Sequence, residues 1–200
     1  MLMEEMDCSK KEMILNVTLD LLKKEGFEGI TVRKIAKAAN VNVALVNYYF
    51  GSKDKLLNAA VQVLITSFKE TFHILDDAAM EPRERLKLFM IQYLNANQQY
   101  PFIVRRLVNE EKFMFDSQIE FVEFLKAIGM KNLQHTIGEL SGESDPQKLT
   151  VMTSHLLGAA FLPTLMEPLY IKVTGIPFPD TETRIDILLD RYFHETEKTR

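Results

Sequence analysis

The sequence contains little glycine and proline, with eight and seven residues respectively out of 200. These low counts exclude a collagen-like or low-complexity chain, and the shortage of glycine argues against a sheet protein with many tight turns. Hydrophobic residues make up 46% of the chain, which is enough to offset the entropy of ordering and excludes disorder of the whole chain. Leucine, methionine, lysine and glutamate are abundant, so the composition favours helices.

Cysteine is nearly absent as well. The single thiol, Cys8, cannot form an intramolecular disulfide or a CxxC metal site, and we expect it to be a free thiol near the terminus. The first ten residues lack the basic and apolar segments of a signal peptide. No run reaches about 18 uninterrupted apolar residues. These absences predict a cytoplasmic protein without a membrane span.

Motifs for cofactors and catalysis are also missing. The sequence has no GxGxxG, GxxxxGK[ST] or HExxH pattern. The histidines are scattered and lack the spacing of metal ligands; they are His73, His135, His155 and His194. We therefore expect no metal, no cofactor and no enzymatic activity.

Charge is distributed unevenly along the chain. The net charge is −4, yet the segment from Ser9 to Asn58 has nine basic and five acidic residues, which leaves +4 there and −8 in the remainder. A basic segment attached to an acidic body favours a local anionic partner.

Capping residues mark the ends of three helices in this basic segment. The first helix is expected to begin at Ser9, whose capping box is completed by Glu12, and to end at Gly26. The other predicted caps are Thr31 at the start of the second helix, Asn40 at its left-handed end, Asn42 at the start of the third and Gly51-Ser52 at its end.

The rest of the chain is predicted to continue as helices, which gives an all-α fold of about nine helices. The expected starts are Ser52 or Asp54, Glu81-Pro82, Tyr100-Pro101, Ser117, Asp145-Pro146, and Asp180 or Thr181. An interior proline removes a backbone hydrogen bond. Pro163 and Pro168 therefore predict a kink near Leu162, or an end before Glu167, in the helix that begins at Asp145-Pro146.

The second and third predicted helices have the pattern of a helix-turn-helix from about Thr31 to Phe50. Ala36 and Ala39 are small enough to let the two helices approach closely. The apolar anchors are Ile35, Val41, Val46 and Phe50, and the outward-facing donors are Arg33, Asn42, Asn47, Tyr48, Tyr49 and Lys53. In this motif the second helix enters a DNA major groove about 12 Å wide.

The same segment resembles the DNA-binding domain of the TetR family of transcriptional regulators. The resemblance rests on three runs, Ile30–Ala36, Ala39–Val41 and Asn47–Leu57. It implies an N-terminal three-helix DNA-binding domain over residues 1–55, followed by a helical ligand-binding and dimerisation domain over residues 56–200. It also implies a homodimer on a palindromic double-stranded DNA operator, released when a small-molecule effector fills a pocket in the helical body.

The family's DNA contacts can be carried over position by position. Val43, Ala44 and Asn47 match positions that touch base edges, and the positions that touch phosphates are matched by Leu45, Tyr48, Tyr49 and Lys53. Arg33 matches a basic position near the start of the second helix, and Thr31 matches the capping residue that presents a helix N-terminus to phosphate. Asn42 completes the predicted DNA-binding residues as an outward-facing donor.

The chain departs from the family pattern at Asn40, Val43 and Leu45, where glycine or polar residues are usual. Base recognition is therefore expected to use apolar contact with thymine methyl groups and the side chain of Asn47, which can pair with adenine. Affinity is expected to depend mainly on phosphate contacts.

Aromatic residues and methionines are frequent from Ala59 onward. Most of them are expected to lie in the core, and the remainder to line a largely apolar pocket. The candidate pocket residues are Phe89, Tyr93, Phe102, Arg105, Asn109, Phe113, Phe121, Phe124, His155 and Met166. The last two predicted helices have broad apolar faces suited to a four-helix bundle about a twofold axis. The candidate dimer residues are Leu157, Ala160, Phe161, Leu188, Leu189 and Tyr192, with burial inside one chain as the alternative for the earlier helix.

The sequence therefore predicts a homodimeric, ligand-responsive DNA-binding regulator that acts as a repressor. In the hypothesised switch, the ligand moves the fourth helix and changes the separation of the two recognition helices, which must lie about 34–36 Å apart. The alternative is a helical adaptor whose basic N-terminal helices bind an acidic protein. Steep salt dependence and a preference for one duplex sequence distinguish the first from the second.

Overall fold

The computed structural model describes the backbone of residues 2–99 and 116–193, and the side chains of residues 9–99 and 119–193. Every regular element in these ranges is a helix, which confirms the all-α class. The helix predicted at Tyr100-Pro101 lies outside the described residues.

After the first, the described helices begin close to the predicted starts. The elements are α1 (Leu2–Glu25), α2 (Val32–Ala38), α3 (Val43–Phe50), α4 (Lys53–His73), a 3-10 turn (Ile74–Asp76), α5 (Pro82–Gln99), α6 (Asp116–Phe124), a π-helical turn (Leu125–Gly129), α7 (Met130–Ser141), α8 (Pro146–Thr174) and α9 (Thr181–Tyr192). One helix was predicted from Ser117 to about Leu140-Ser141-Gly142, and the structure divides it by the π-helical turn.

The predicted start of the first helix at Ser9 is wrong. α1 begins at Leu2, so Ser9 lies inside it. The residues before Ser9 include Leu2, Met3 and Glu4, which favour helix, and they include neither glycine nor proline to stop it. The capping box at Ser9 is therefore a possible helix start, but the residues before it continue the helix toward the N-terminus.

Proline does not end α8. This helix continues for 29 residues through Pro163 and Pro168, so the predicted end before Glu167 is wrong. Each proline removes one backbone donor, while the neighbouring turns keep theirs. The helix ends at Gly175, whose φ of 70° is the left-handed conformation that glycine adopts without strain.

By length and composition alone, α8 is long and apolar enough to cross a membrane, although polar residues interrupt its apolar ones. Only 17% of its most apolar window is buried inside the chain. One such helix is weak evidence for a membrane, because a core or interface helix of a soluble protein satisfies the same criterion.

The described residues fall into two compact units. One contains residues 2–67, 99 and 116–122, and its core includes Ile14 of α1, Ile35 of α2, Val46 of α3 and Leu57 of α4. The other contains residues 68–98 and 123–193. Its core takes side chains from five helices, among them Phe72, Phe89, Leu133, Leu156 and Leu189. The division at residues 55 and 56, which marks where the predicted DNA-binding function ends, stays a prediction.

Candidate nucleic-acid interface and effector region

The turn between α2 and α3 is fixed by local hydrogen bonds. The Thr31 hydroxyl accepts from the Lys34 amide at 3.2 Å, and the Asn42 side-chain oxygen accepts from the Leu45 amide at 2.7 Å. Asn40 adopts a φ of 52°, as its predicted capping role requires. These contacts confirm the predicted caps and place the start of α3 close to the end of α2.

One face of α3 is open to solvent. Val43, Ala44, Asn47 and Tyr48 are all exposed, and Tyr48 is 76% exposed. Their spacing of one and four residues places them on the same side of a helix. Val46 points away from this face and is buried. We call the four exposed residues the α3 face.

The remaining predicted DNA-binding residues surround this face along the chain. Leu45, Tyr49 and Lys53 are half-buried, whereas Arg33 is exposed. The side-chain oxygens of Thr31 and Asn42 already cap helices, so their part in a DNA site includes holding α2 and α3 in position. Contact of any of these residues with DNA stays a prediction.

Unpaired positive charge is available beside the α3 face. Lys34 is occupied, since its Nζ lies 2.6 Å from a Glu25 carboxylate oxygen and 2.9 Å from the Gly29 carbonyl oxygen. By contrast, no ion pair within the described residues involves Arg33, Lys37, Lys53 or Lys55. Lys37 and Lys55 were not among the predicted contacts, although the excess of basic residues in this segment includes them. Such cations can neutralise phosphates without first breaking a salt bridge.

Aromatic contacts support the end of α3. The rings of Tyr48 and Tyr49 meet edge to face with centroids 5.3 Å apart, and those of Tyr49 and Phe50 with centroids 6.5 Å apart. Lys11 of α1 lies over the Phe50 ring, with its Nζ 6.0 Å from the centroid. Tyr48 is thus held by its neighbour while its own ring stays exposed.

In the second unit, an aromatic cluster lies around Phe72. The Phe72 ring is 4.9 Å from that of Phe89 and 5.6 Å from that of Phe124, and Tyr93 stacks on Phe89 at 5.6 Å. Burial raises the pKa of the Tyr93 hydroxyl, which its contact with Asn97 opposes. Phe89, Tyr93 and Phe124 were predicted pocket residues, and the structure brings them together as closely packed side chains.

The other predicted pocket residues do not lie together in the aromatic cluster. His155 is exposed on α8 and Met166 is half-buried on the same helix. Phe121 is buried and belongs to the first unit. Four further candidates lie outside the described residues: Phe102, Arg105, Asn109 and Phe113.

The predicted dimer residues point mostly into their own chain. Leu189 is fully buried and Ala160 nearly so, while Leu157, Phe161, Leu188 and Tyr192 pack against the same core. Leu189 and Ala160 are therefore covered within the chain, which for Ala160 is the alternative that was predicted for this helix. A dimer contact at the six residues stays a prediction.

The apolar side chains that α8 exposes lie at other positions. We call Leu162, Leu165 and Leu169 the α8 stripe; each is about half exposed, and their spacing of three and four residues forms a line along the helix. On α9, Ile187 is also about half exposed. The polar side of α9 faces α5, where Lys87 Nζ lies 2.9 Å from a carboxylate oxygen of Asp186.

Comparison with known proteins gives one family match. The family described as bacterial regulatory proteins, tetR family, matches residues 14–60. This range contains α2 and α3 and most of α1.

Relatives and solved structures extend the match. The chain is 34% identical over 79 residues to the transcriptional regulator BetI of Stenotrophomonas maltophilia, which is 39% of this chain and 40% of BetI. It is 26% identical over 175 residues to the probable transcriptional regulator YttP of Bacillus subtilis, which covers 84% and 82% of the two chains. The match to the BetI proteins thus spans less than half of their length. A TetR-like regulator from Rhodococcus sp. RHA1 shares the fold with a TM-score of 0.61 at 20% identity, over 92% of this chain and 93% of that one.

Proposed function

The chain belongs to the TetR family of bacterial regulatory proteins, and from this membership we propose that it is a homodimeric transcriptional repressor released from DNA by a small, largely apolar effector. The family is one of DNA-binding regulators rather than enzymes, in agreement with the sequence expectation. The observation that carries the proposal is the solvent-exposed α3 face beside unpaired cations.

The α3 face has side chains suited to a major groove. Asn47 can form paired hydrogen bonds with adenine, and Val43 and Ala44 can contact a thymine methyl group. Phosphate contacts come from Tyr48, Lys53 and the unpaired basic side chains around them. The face is less polar than a typical recognition helix, so we expect binding that depends strongly on phosphate contacts and therefore on salt.

The α8 stripe supports the homodimer. Monomeric soluble proteins rarely expose large contiguous apolar patches, and such patches mark interaction sites. Pairing of α8 and α9 with the same helices of a second chain covers the stripe in a four-helix arrangement. A dimer is also what a palindromic operator requires, because each half-site is bound by one recognition helix. A cytoplasmic location follows for a protein that acts on bacterial DNA.

The effector is proposed to bind at the aromatic cluster around Phe72. Phe72 is part of α4, and α4 follows the helix-turn-helix directly in the chain. A ligand that displaces these rings moves α4 and changes the separation of the recognition helices. Only a ligand with different affinities for the two separations can shift the equilibrium between them.

The test is selection of genomic duplex fragments by the purified full chain, followed by footprinting of the enriched fragments. We expect one protected site with twofold symmetry, and binding that falls steeply as salt rises. Absence of enrichment at low salt, together with capture of an acidic protein, would favour the adaptor instead. A ligand that binds at the aromatic cluster without changing operator affinity would contradict the proposed switch.

A further inference from the structure

The helix α3 has no charged side chain anywhere along its length, from Val43 to Phe50. Arginine and lysine are the usual partners of guanine in the major groove, and aspartate and glutamate are those of cytosine. Neither base of a G·C pair therefore finds its usual partner on α3. The predicted basic contacts Arg33 and Lys53 belong to α2 and α4.

Adenine, by contrast, has a suitable partner on α3. The side-chain amide of Asn47 is exposed and has no hydrogen-bond partner within the described residues, so both its donor and its acceptor are available for the paired bonds that adenine forms. Asn42 differs, because its side-chain oxygen already accepts from the Leu45 amide at 2.7 Å. Asn47 is therefore the asparagine of this helix-turn-helix that is free to contact a base.

Thymine has suitable partners in the first turn of α3, where Val43 and Ala44 expose methyl groups. Val43 is 37% exposed and Ala44 is exposed as well. The first residues of a recognition helix are the ones that contact base edges. Neither side chain can form a hydrogen bond, so neither distinguishes the O4 acceptor of thymine from the amino donor of cytosine. What they can contact is the C5-methyl group that thymine shows in the major groove.

We propose that α3 reads A·T pairs, and that Val43 and Ala44 identify thymine only by its C5-methyl group, so that 5-methylcytosine is accepted where cytosine and uracil are not. Asn47 lies one helical turn beyond Val43, about 6 Å along α3, and is assigned to the adenine of a different base pair. The inference rests on the proposed DNA binding and specifies the bases of each half-site. Operator binding then depends on whether a cytosine at the Val43 position is methylated.

The experiment starts from the duplex that the full chain protects in the genomic selection. Each thymine of a half-site is replaced by uracil at the same position in both half-sites, which removes a methyl group and keeps base pairing and every phosphate. We expect one or two positions in each half-site to lose affinity by about fourfold per methyl group, measured by fluorescence anisotropy. The slope of log affinity against log salt should stay the same, because no phosphate contact is lost.

Cytosine methylation separates recognition of the methyl group from recognition of the base pair. At each position that is sensitive to uracil, the T·A pair is replaced by C·G and by 5-methylcytosine·G. We expect at least one position where the duplex with 5-methylcytosine binds about fourfold more tightly per methyl group than the duplex with cytosine. Equal affinity of the two duplexes at every sensitive position overturns the proposal.

A variant assigns the methyl contact to one side chain. Val43→Ala should reduce the effect of uracil at one position of each half-site, because it removes two methyl groups from the contacting side chain. Val63→Ala is the matched control, since Val63 is 43% exposed on α4 and belongs to the same unit. Equal effects of uracil in the two variants, with both folded by circular dichroism, contradict the part assigned to Val43.

Failure of this inference is distinguishable from failure of the proposed function. Absence of any protected duplex overturns the proposed function and this inference with it. A protected duplex whose affinity is unchanged by uracil at every position, or a half-site without A·T pairs, overturns this inference and leaves the DNA-binding function in place.

Discussion

The α3 face and the α8 stripe are both open to solvent, yet they expose opposite chemistry. The α3 face presents an amide and a tyrosine beside unpaired cations, while the α8 stripe presents three leucines. Polar and cationic side chains suit a charged, hydrated partner such as DNA, whereas leucines suit another apolar surface. We therefore propose that both are interaction surfaces, and the side chains at each indicate the kind of partner that suits it.

The largest effect is expected from a charge in the α8 stripe. Leu165→Glu places a carboxylate at the proposed dimer contact, where burial without a partner is strongly unfavourable. We expect a monomer by light scattering, with operator affinity about 10²–10⁴-fold weaker because the two half-sites no longer bind together.

The matched control for this variant is Ile128→Glu. Ile128 is also an exposed apolar residue of the second unit, but it lies on the π-helical turn. The Ile128→Glu variant should therefore remain dimeric. A dimeric Leu165→Glu, or a monomeric Ile128→Glu, would show that the α8 stripe is not the contact.

A smaller effect is expected at the α3 face. Tyr48→Ala and Lys53→Ala should each weaken binding to all duplexes about tenfold, since both residues are assigned to phosphates rather than to bases. Lys53→Ala should also make the slope of log affinity against log salt shallower by about 0.9, which corresponds to the loss of one phosphate contact. Fluorescence anisotropy at several salt concentrations measures both quantities.

Lys172→Ala controls for the loss of a positive charge elsewhere, because Lys172 is exposed on α8. Its DNA affinity should match that of the unmodified chain. If Tyr48→Ala and Lys53→Ala also match it, neither residue belongs to the DNA site.

Removal of the α3 cap should have a modest effect on stability. Asn42→Ala removes the acceptor of the Leu45 amide and should lower the free energy of unfolding by about 1 kcal/mol. Asn95→Ala, at an exposed position inside α5, makes the same substitution without a cap. Denaturant unfolding of both should show a loss only for Asn42→Ala; equal changes would mean that the cap contributes nothing.

The smallest expected effect is on the thermal stability that Glu143 contributes, and it should appear only at acidic pH. Backbone donation from Asp145, with help from Lys148 and the Ser144 amide, lowers the pKa of Glu143 from 4.5 to about 2. Because the folded pKa is the lower one, the stabilisation is complete above pH 4.5 and is lost as the pH falls toward 2.

We expect the difference in Tm between the unmodified chain and Glu143→Gln to shrink over that pH range. Glu70→Gln, at an exposed position on α4, is the control. A Tm difference that stays constant from pH 6 to pH 2 would contradict the assignment of this pKa.

The two regions also differ in how well the sequence predicted them. In the helix-turn-helix, the ends of α2 and α3 depend on contacts between residues three or four apart, such as Asn42 with Leu45, and they were confirmed. In the body, the exposed side of α8 depends on which helix covers Ala160 and Leu156, and that information is not local. The predicted start at Ser9 was wrong for a related reason. Ser9 and Glu12 have the pattern of a capping box, but the residues before Ser9 extend the helix to Leu2.

The site predictions divide in the same way. The structure places Val43, Ala44, Asn47 and Tyr48 on one exposed face, as the helical spacing required. It could not be predicted that Phe121 would belong to the first unit and Phe124 to the second, because both lie in α6 and local spacing does not separate them.

The composition of α8 has a consequence for subunit exchange. From Leu149 to its end, the helix carries only two charged residues, Glu167 and Lys172. Apolar contacts give affinity, while the rejection of wrong partners depends on charges and unpaired polar groups. If the proposed dimer forms through the α8 stripe, we therefore expect this contact to discriminate poorly between a second copy of this chain and another chain with a similar apolar helix. A mixed dimer, with two different recognition helices, would then bind an operator with two different half-sites.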